Sequence, residues 1–197
     1  METGAPSDAD QRQPASDPLA ALATIAGGLV SQVTRDMLAY WGSLCERNGC
    51  RVPARSQLDP GEIPPRLLPH LFLCEFTPDG GVLIRLQGGY LSESAGQALT
   101  WRRIDRQTFG DNAAAVLQVY AAVRDTGRPI ATHQRVLTTL GVPIVSEVLH
   151  LPFCRGDRPD GPVGFVLGAL DRIDNAVAGG RDARAAEWTS IEVLRSV

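Results

Sequence analysis

From residue 29 onward the apolar positions recur every three or four residues. Leu29, Val33, Met37, Tyr40, Trp41 and Leu44 form one stripe, the mark of an amphipathic helix. Asn48-Gly49 supplies a stop signal. The following "RVPARSQLDPGEIPPRLLPH" carries Pro53, Pro60, Pro64, Pro65 and Pro69, so it can hold only short helical turns, one starting at Asp59-Pro60 and one at Pro64-Pro65. The pattern then changes to strands. Residues 71–77 and 82–87 flank the turn Pro78-Asp79-Gly80-Gly81 and read as a hairpin. "YLSESAGQALTWRRIDRQTFG" lacks strand alternation and fits short helices. Residues 111–126 read as a longer helix with Val116, Leu117, Tyr120 and Val123 inward, closed by Gly127. Residues 129–140, 144–151 and 163–170 read as three antiparallel strands on short connections.

This order, helix, two strands, short helices, longer helix, three strands, predicts an α+β fold. A five-stranded antiparallel sheet carries the helical block on one face and leaves a closed space for a small molecule between them. Terminal segments extend this core at both ends. Residues 1–17 are rich in Pro, Ser, Asp and Gln, a composition that favours disorder. Asp17-Pro18 then opens a helical extension over 18–37, with Leu19, Leu22 and Ile25 on one face and Gly27-Gly28 interrupting it. Residues 38–171 make the main domain. Residues 172–197 read as a linker and a last helix capped by Asp182, which either folds back or meets a partner.

The chain is 197 residues long, 44% hydrophobic, with a net charge of −3 and a sequence pI near 5.6. Its basic residues are all Arg and are dispersed, so no basic face for nucleic acid is expected. No window of about 20 apolar residues would span a membrane, and the acidic start is no secretory signal; a cytoplasmic location is expected. Cys45, Cys50, Cys74 and Cys154 form no C-x-x-C pair and read as small buried thiols rather than metal ligands. His70, His133 and His150 are scattered, and strand alternation turns His150 away from Glu147 and Leu149. There is no G-x-S-x-G, H-E-x-x-H, P-loop or G-x-G-x-x-G. Ser92, Ser94 and His133 can be assembled on paper into a nucleophile and base, but their spacing does not support it. No enzymatic activity is expected, and no cofactor is named by these residues.

Six short motifs occur in a fixed order: Trp41 in the leading helix; Pro53-Ala54-Arg55 through Asp59-Pro60; Leu67-Leu68-Pro69; Arg85-Leu86-Gln87-Gly88; Gly127-Arg128-Pro129; and Glu147 to Leu151-Pro152. Over residues 38–171 this order resembles the PAS domain, and more narrowly the bacterial PAS subfamily (PAS_5-like) with those motifs. The resemblance implies a sensory or regulatory module in signal transduction that binds a small ligand, a protein partner or both. The alternative is a ligand-free dimerisation module. Arg55, Arg85, Trp101 and Glu147 are the candidate ligand-binding residues. An Arg on an apolar strand needs a partner: Arg85 is expected either to pair with Glu147 or to grip a ligand carboxylate. Trp101 is expected to fill space at the cavity mouth. Leu29, Val33 and Met37 precede the domain proper, so their stripe is the candidate interface of a homodimer.

Overall fold

The computed structural model describes residues 28–137, 143–173 and 192–196. Helix α1 (Gln32–Asn48) is capped by Ser31, whose side chain accepts from Val33 N, and ends at Gly49 with φ 58°, where only a residue tolerant of the left-handed region ends a helix cleanly. Three 3₁₀ turns follow, Arg55–Gln57, Pro60–Glu62 and Pro65–His70, the last two starting where the proline pattern places them. Strands β1 (Leu71–Phe76) and β2 (Val82–Gln87) form the hairpin. Helices α2 (Gly89–Ala95), α3 (Arg106–Phe109) and α4 (Ala113–Thr126) lead to β3 (Ile130–Leu137), β4 (Pro143–Cys154) and β5 (Val163–Arg172).

The expected five strands pair antiparallel in the order β2-β1-β5-β4-β3. A sixth, β6 (Glu192–Ser196), adds to the outer edge of β3. The apolar pattern predicts a helix through Ser196. The open edge of β3, with its unpaired N–H and C=O groups, takes these residues as a strand instead; residues 182–191 lie outside the described part, as do 1–27 with the Leu19, Leu22 and Ile25 face. At the opposite edge, residues 101–104 run along β2, with Trp101 N donating to Ile84 O at 2.7 Å and Ile104 N to Val82 O at 2.9 Å.

Strand alternation divides the apolar residues into two cores. Phe72, Cys74, Ile84, Val148 and Val166 meet α2–α4 through Leu91, Phe109, Val116 and Tyr120. Leu149, Leu151, Phe153, Leu167 and Ala169 point the other way and are covered by α1 through Met37, Leu38, Trp41 and Leu44, and by Leu29 just before it. The leading stripe is therefore the lid of the chain's own second core, which corrects the interface assigned to it. Leu29 and Met37 are buried and Val33 is half-buried against the same cluster. Both faces of β4 and β5 are apolar, and an uncovered second face would leave them in water.

The sequence motifs meet one another in this frame. Trp41 Nε1 donates to Pro152 O at 2.9 Å. Cys154 N donates to Pro53 O at 2.9 Å. Gly88 N donates to Leu71 O at 2.8 Å, and a Cβ built on Gly88 would lie 2.2 Å from Pro69 O and 2.6 Å from Leu68 O. That overlap is with backbone, which cannot swing aside. Gly88→Ala is expected to destabilise by about 1–3 kcal/mol through forced backbone shifts; a denaturation midpoint equal to wild type would refute this contact.

Candidate ligand-binding site

Between the sheet and α2–α4 lies a cavity of about 300 Å³. Its walls are apolar and aromatic, with Phe72, Phe109, Val116, Tyr120, Val148 and Leu170 among the lining residues. The buried polar exceptions on the sheet come from the inward-facing positions of β3 and β4. Gln134 and Ser146 are register partners, and His150 lies two inward positions along from Ser146. All three line the cavity and are buried, with 7%, 8% and 3% exposure. Gln87, Tyr90, Glu93, Ser94 and Arg172 complete the polar lining; Glu93 and Ser94 are exposed and place the solvent side of the cavity beside α2.

His150 packs edge-on against Tyr120 and Phe72, with ring centroids at 5.3 Å and 5.9 Å. Its Nδ1 lies 3.3 Å from Ile130 O. A carbonyl only accepts, so Nδ1 carries the hydrogen and Nε2 keeps a lone pair. Burial pushes the imidazole pKa down to about 4, against a smaller opposing effect of the Ile130 carbonyl, so the ring is neutral at pH 7. Nε2 has no hydrogen-bond partner among the described residues. Beside it, Cys74 Sγ and Tyr120 Oη pair at 3.1 Å. Burial raises the Cys74 thiol to about 12, far from the reactive thiolate range.

The depressed pKa of His150 has a consequence for stability. The unfolded chain takes up the proton near the ordinary value of 6.5 and the folded chain only near 4. Its contribution is complete above pH 6.5 and is lost as pH falls toward 4, on the order of 3 kcal/mol in all. His150→Phe is expected to flatten the fall in denaturation midpoint between pH 6.5 and 4.5; an unchanged slope would show that His150 titrates normally in the fold.

The four residues singled out from sequence do not converge on this cavity. Arg85 is exposed on the outer side of β2. It pairs with Glu75 at 3.0 Å and stacks 4.3 Å from the Trp101 ring centroid. The expected Arg85–Glu147 pair is not formed. β1 and β5 lie between β2 and β4, which separates the two strands by about 14 Å, three strand spacings. Trp101 is 62% exposed with φ 68°. Its backbone is tied to the edge of β2, so its indole covers Arg85 and leaves the cavity unfilled. Arg55 is half-buried near the Phe165 ring, 6.0 Å from its centroid, on the face away from the cavity. An exposed pair such as Arg85–Glu75 contributes about 0–1 kcal/mol, so Arg85→Ala should shift the urea midpoint very little; a large loss would mean that the Trp101 stack holds the edge of the sheet.

Glu147 is fully buried on the α1 side of β4. Its carboxylate accepts from Val30 N at 2.8 Å, Ser31 N at 3.0 Å, His133 Nε2 at 2.8 Å and the Thr34 hydroxyl. Burial alone would raise its pKa. The hydrogen bonds from Thr34, Val30, His133 and Ser31 outweigh that and hold it below the ordinary carboxylate value. Ser31 Oγ in turn donates to Asp171 Oδ2 at 2.6 Å. Glu147 is thus an anchor for the start of α1.

The cavity residues that sequence reasoning missed are Gln134, Ser146 and Tyr120. His150 was placed on the correct face but given no part in ligand contact. For His150 the signal is its open position in E-x-L-x-L-P, since the open positions Gln87 in R-L-x-G and Val148 and His150 in E-x-L-x-L-P all line the cavity; Gln134, Ser146 and Tyr120 lie outside the motifs. The PAS_5 family, described as a PAS domain, matches residues 29–170. The chain belongs to the PAS domain family. Similar solved structures include several LOV proteins. A Rhodobacter sphaeroides LOV protein shares 18% identity at a TM-score of 0.41, over 54% of this chain and 60% of its own. A fungal LOV domain photoreceptor shares 15% at 0.41, over 67% and 90%. An RNA-binding light-oxygen-voltage receptor shares 15% at 0.41, over 78% and 48%. This chain thus spans less than two thirds of the first and third. No curated protein matches the sequence. The PAS fold supports a signal-sensing role. Among the described residues no helix is long and apolar enough to cross a membrane.

Proposed function

We propose that this PAS domain is a sensory module that takes a small ligand into the cavity between its sheet and α2–α4, carries out no catalysis, and passes the bound state to a protein partner or a second copy of itself. The observation that carries this reading is the open cavity of about 300 Å³ with the buried His150 at its wall. That volume falls at the lower end of small-molecule sites. A ligand-free interaction domain would gain stability by filling it, since voids in a core are destabilising. The buried free thiols Cys45, Cys74 and Cys154 fit a reducing compartment such as the cytoplasm. Native mass spectrometry of the full chain purified from its own host tests the ligand. We expect a retained small molecule, lost in Ser146→Leu, whose side chain enters the cavity, while that variant stays folded by circular dichroism. A bare polypeptide mass in the wild type, with no small molecule raising its melting temperature, would overturn the reading. Retention unchanged in Ser146→Leu would move the site elsewhere. Light scattering on the same sample reads the copy number.

A further inference from the structure

The cavity has a chemical preference that can be derived from its wall. Phe72, Phe109, Tyr90 and Tyr120 give it flat aromatic surfaces. Its charged lining residues are Glu93, which is exposed, and Arg172, which is half-buried and pairs in register with Ser146; around His150 the neighbours are Ile130, Gly168, Phe72 and Tyr120, so no full charge lies beside it to offset one on a ligand there, and burying an unpaired charge is strongly unfavourable. The deep polar groups differ in what they can do. Ser146 and Gln134 can each donate or accept, Gln134 having one end on Thr132 Oγ1 at 3.1 Å. His150 has no such freedom. Its Nδ1 hydrogen is committed to Ile130 O, so Nε2 can only accept, and among the described residues nothing donates to it.

We infer that the cavity is built for an uncharged, flat aromatic ring that donates a hydrogen bond from a ring N–H or O–H to Nε2 of His150. This rests on the reading of the cavity as the ligand site. The donor satisfies a buried acceptor that is otherwise left without a partner, and leaving such a group unpaired in a filled cavity is the more unfavourable state. An apolar ring of the same shape gains the aromatic contacts but strands Nε2.

Indole and benzothiophene separate these cases, because they match in shape and differ in the N–H. Calorimetric titration of the full wild-type chain is expected to show indole binding about tenfold more tightly than benzothiophene, and His150→Phe is expected to remove that difference. A measurement on the wild type alone guards against a variant that fails to fold. With ¹⁵N-labelled histidine, the Nε2 resonance of His150 should be of the unprotonated type in the free protein and should move toward the hydrogen-bonded position on adding indole, and not on adding benzothiophene. Equal affinity for the two probes, or an Nε2 resonance indifferent to indole, would overturn the donor inference and leave the cavity reading standing. If neither probe binds but a host-derived small molecule is retained, the donor inference again fails alone. If neither binds and nothing is retained, both fail.

Discussion

Trp41→Ala is expected to lower stability by about 3–5 kcal/mol and the melting temperature by about 10 °C. The indole is 2% exposed in the core between α1 and the sheet. Its truncation leaves a cavity among Leu149, Leu151 and Phe153, which the rigid strands cannot close. It also leaves Pro152 O without the hydrogen bond from Nε1, an additional penalty for a buried acceptor. Trp41→Phe bounds the two contributions, because it keeps a six-membered ring in the core while removing the donor and the five-membered ring. Thermal and urea unfolding followed by circular dichroism measure both. Should Trp41→Ala melt within a degree or two of wild type, α1 is not docked on the sheet as described.

Glu147→Ala is expected to be as damaging, about 3–5 kcal/mol, for a different reason. The loss is not packing but the stranding of Val30 N, Ser31 N, the Thr34 hydroxyl and His133 Nε2 around an empty position, and breaking a buried charged network from one side leaves its partners desolvated and unpaired. The effect should also be local. Amide exchange at Val30 and Ser31 should accelerate more than that of β1 or β5. The pH dependence follows from the direction of the shift: the folded carboxylate has the lower pKa, so its contribution is present above the ordinary value of 4.5 and is lost as pH falls through the depressed one. Acid should therefore weaken the protein in two stages, first as His150 is driven to charge below pH 6.5 and then as Glu147 protonates. Glu147→Ala should reduce the second stage, to which Asp36, Glu62 and Asp79 also contribute, and leave the first unchanged. Unaltered exchange at Val30 and Ser31 in that variant would show that the carboxylate does not hold the helix start.

Much of the fold was legible from periodicity. The proline turns, the hairpin, the α4 helix and the three later strands lie within a few residues of where the pattern places them, because each is set by local signals: Asp59 before Pro60, Gly80-Gly81, Gly127. What the pattern could not give is which strand of the first hairpin sits against β5. Alternation fixes which way Arg85 and Glu147 point but not that β1 and β5 lie between them, so a plausible ion pair was assigned across too great a distance. The apolar stripe of α1 was misplaced for a related reason. "SEVLHLPF" carries apolar residues on both faces, Val148 and Pro152 on one and Leu149, Leu151 and Phe153 on the other, the pattern of a strand buried on both sides, and it needs a second cover that the leading helix supplies. The cavity was the least legible part. Its lining is drawn from three helices, the strands and the loops between them, and Tyr120, Gln134 and Ser146 lie outside every motif.

β4 is a strand that serves two readers. Ser146, Val148 and His150 look into the cavity; Glu147, Leu149 and Leu151 hold α1. Because the faces alternate residue by residue, a single insertion or deletion between Ser146 and Pro152 would transpose both sets together, carrying Glu147 into the cavity and His150 beneath the helix. Substitution at 146, 148 and 150 is a change of vocabulary, whereas a change in the strand's length is a change of grammar. Relatives tuned to other ligands are expected to differ at those three positions and to keep the same residue count between them.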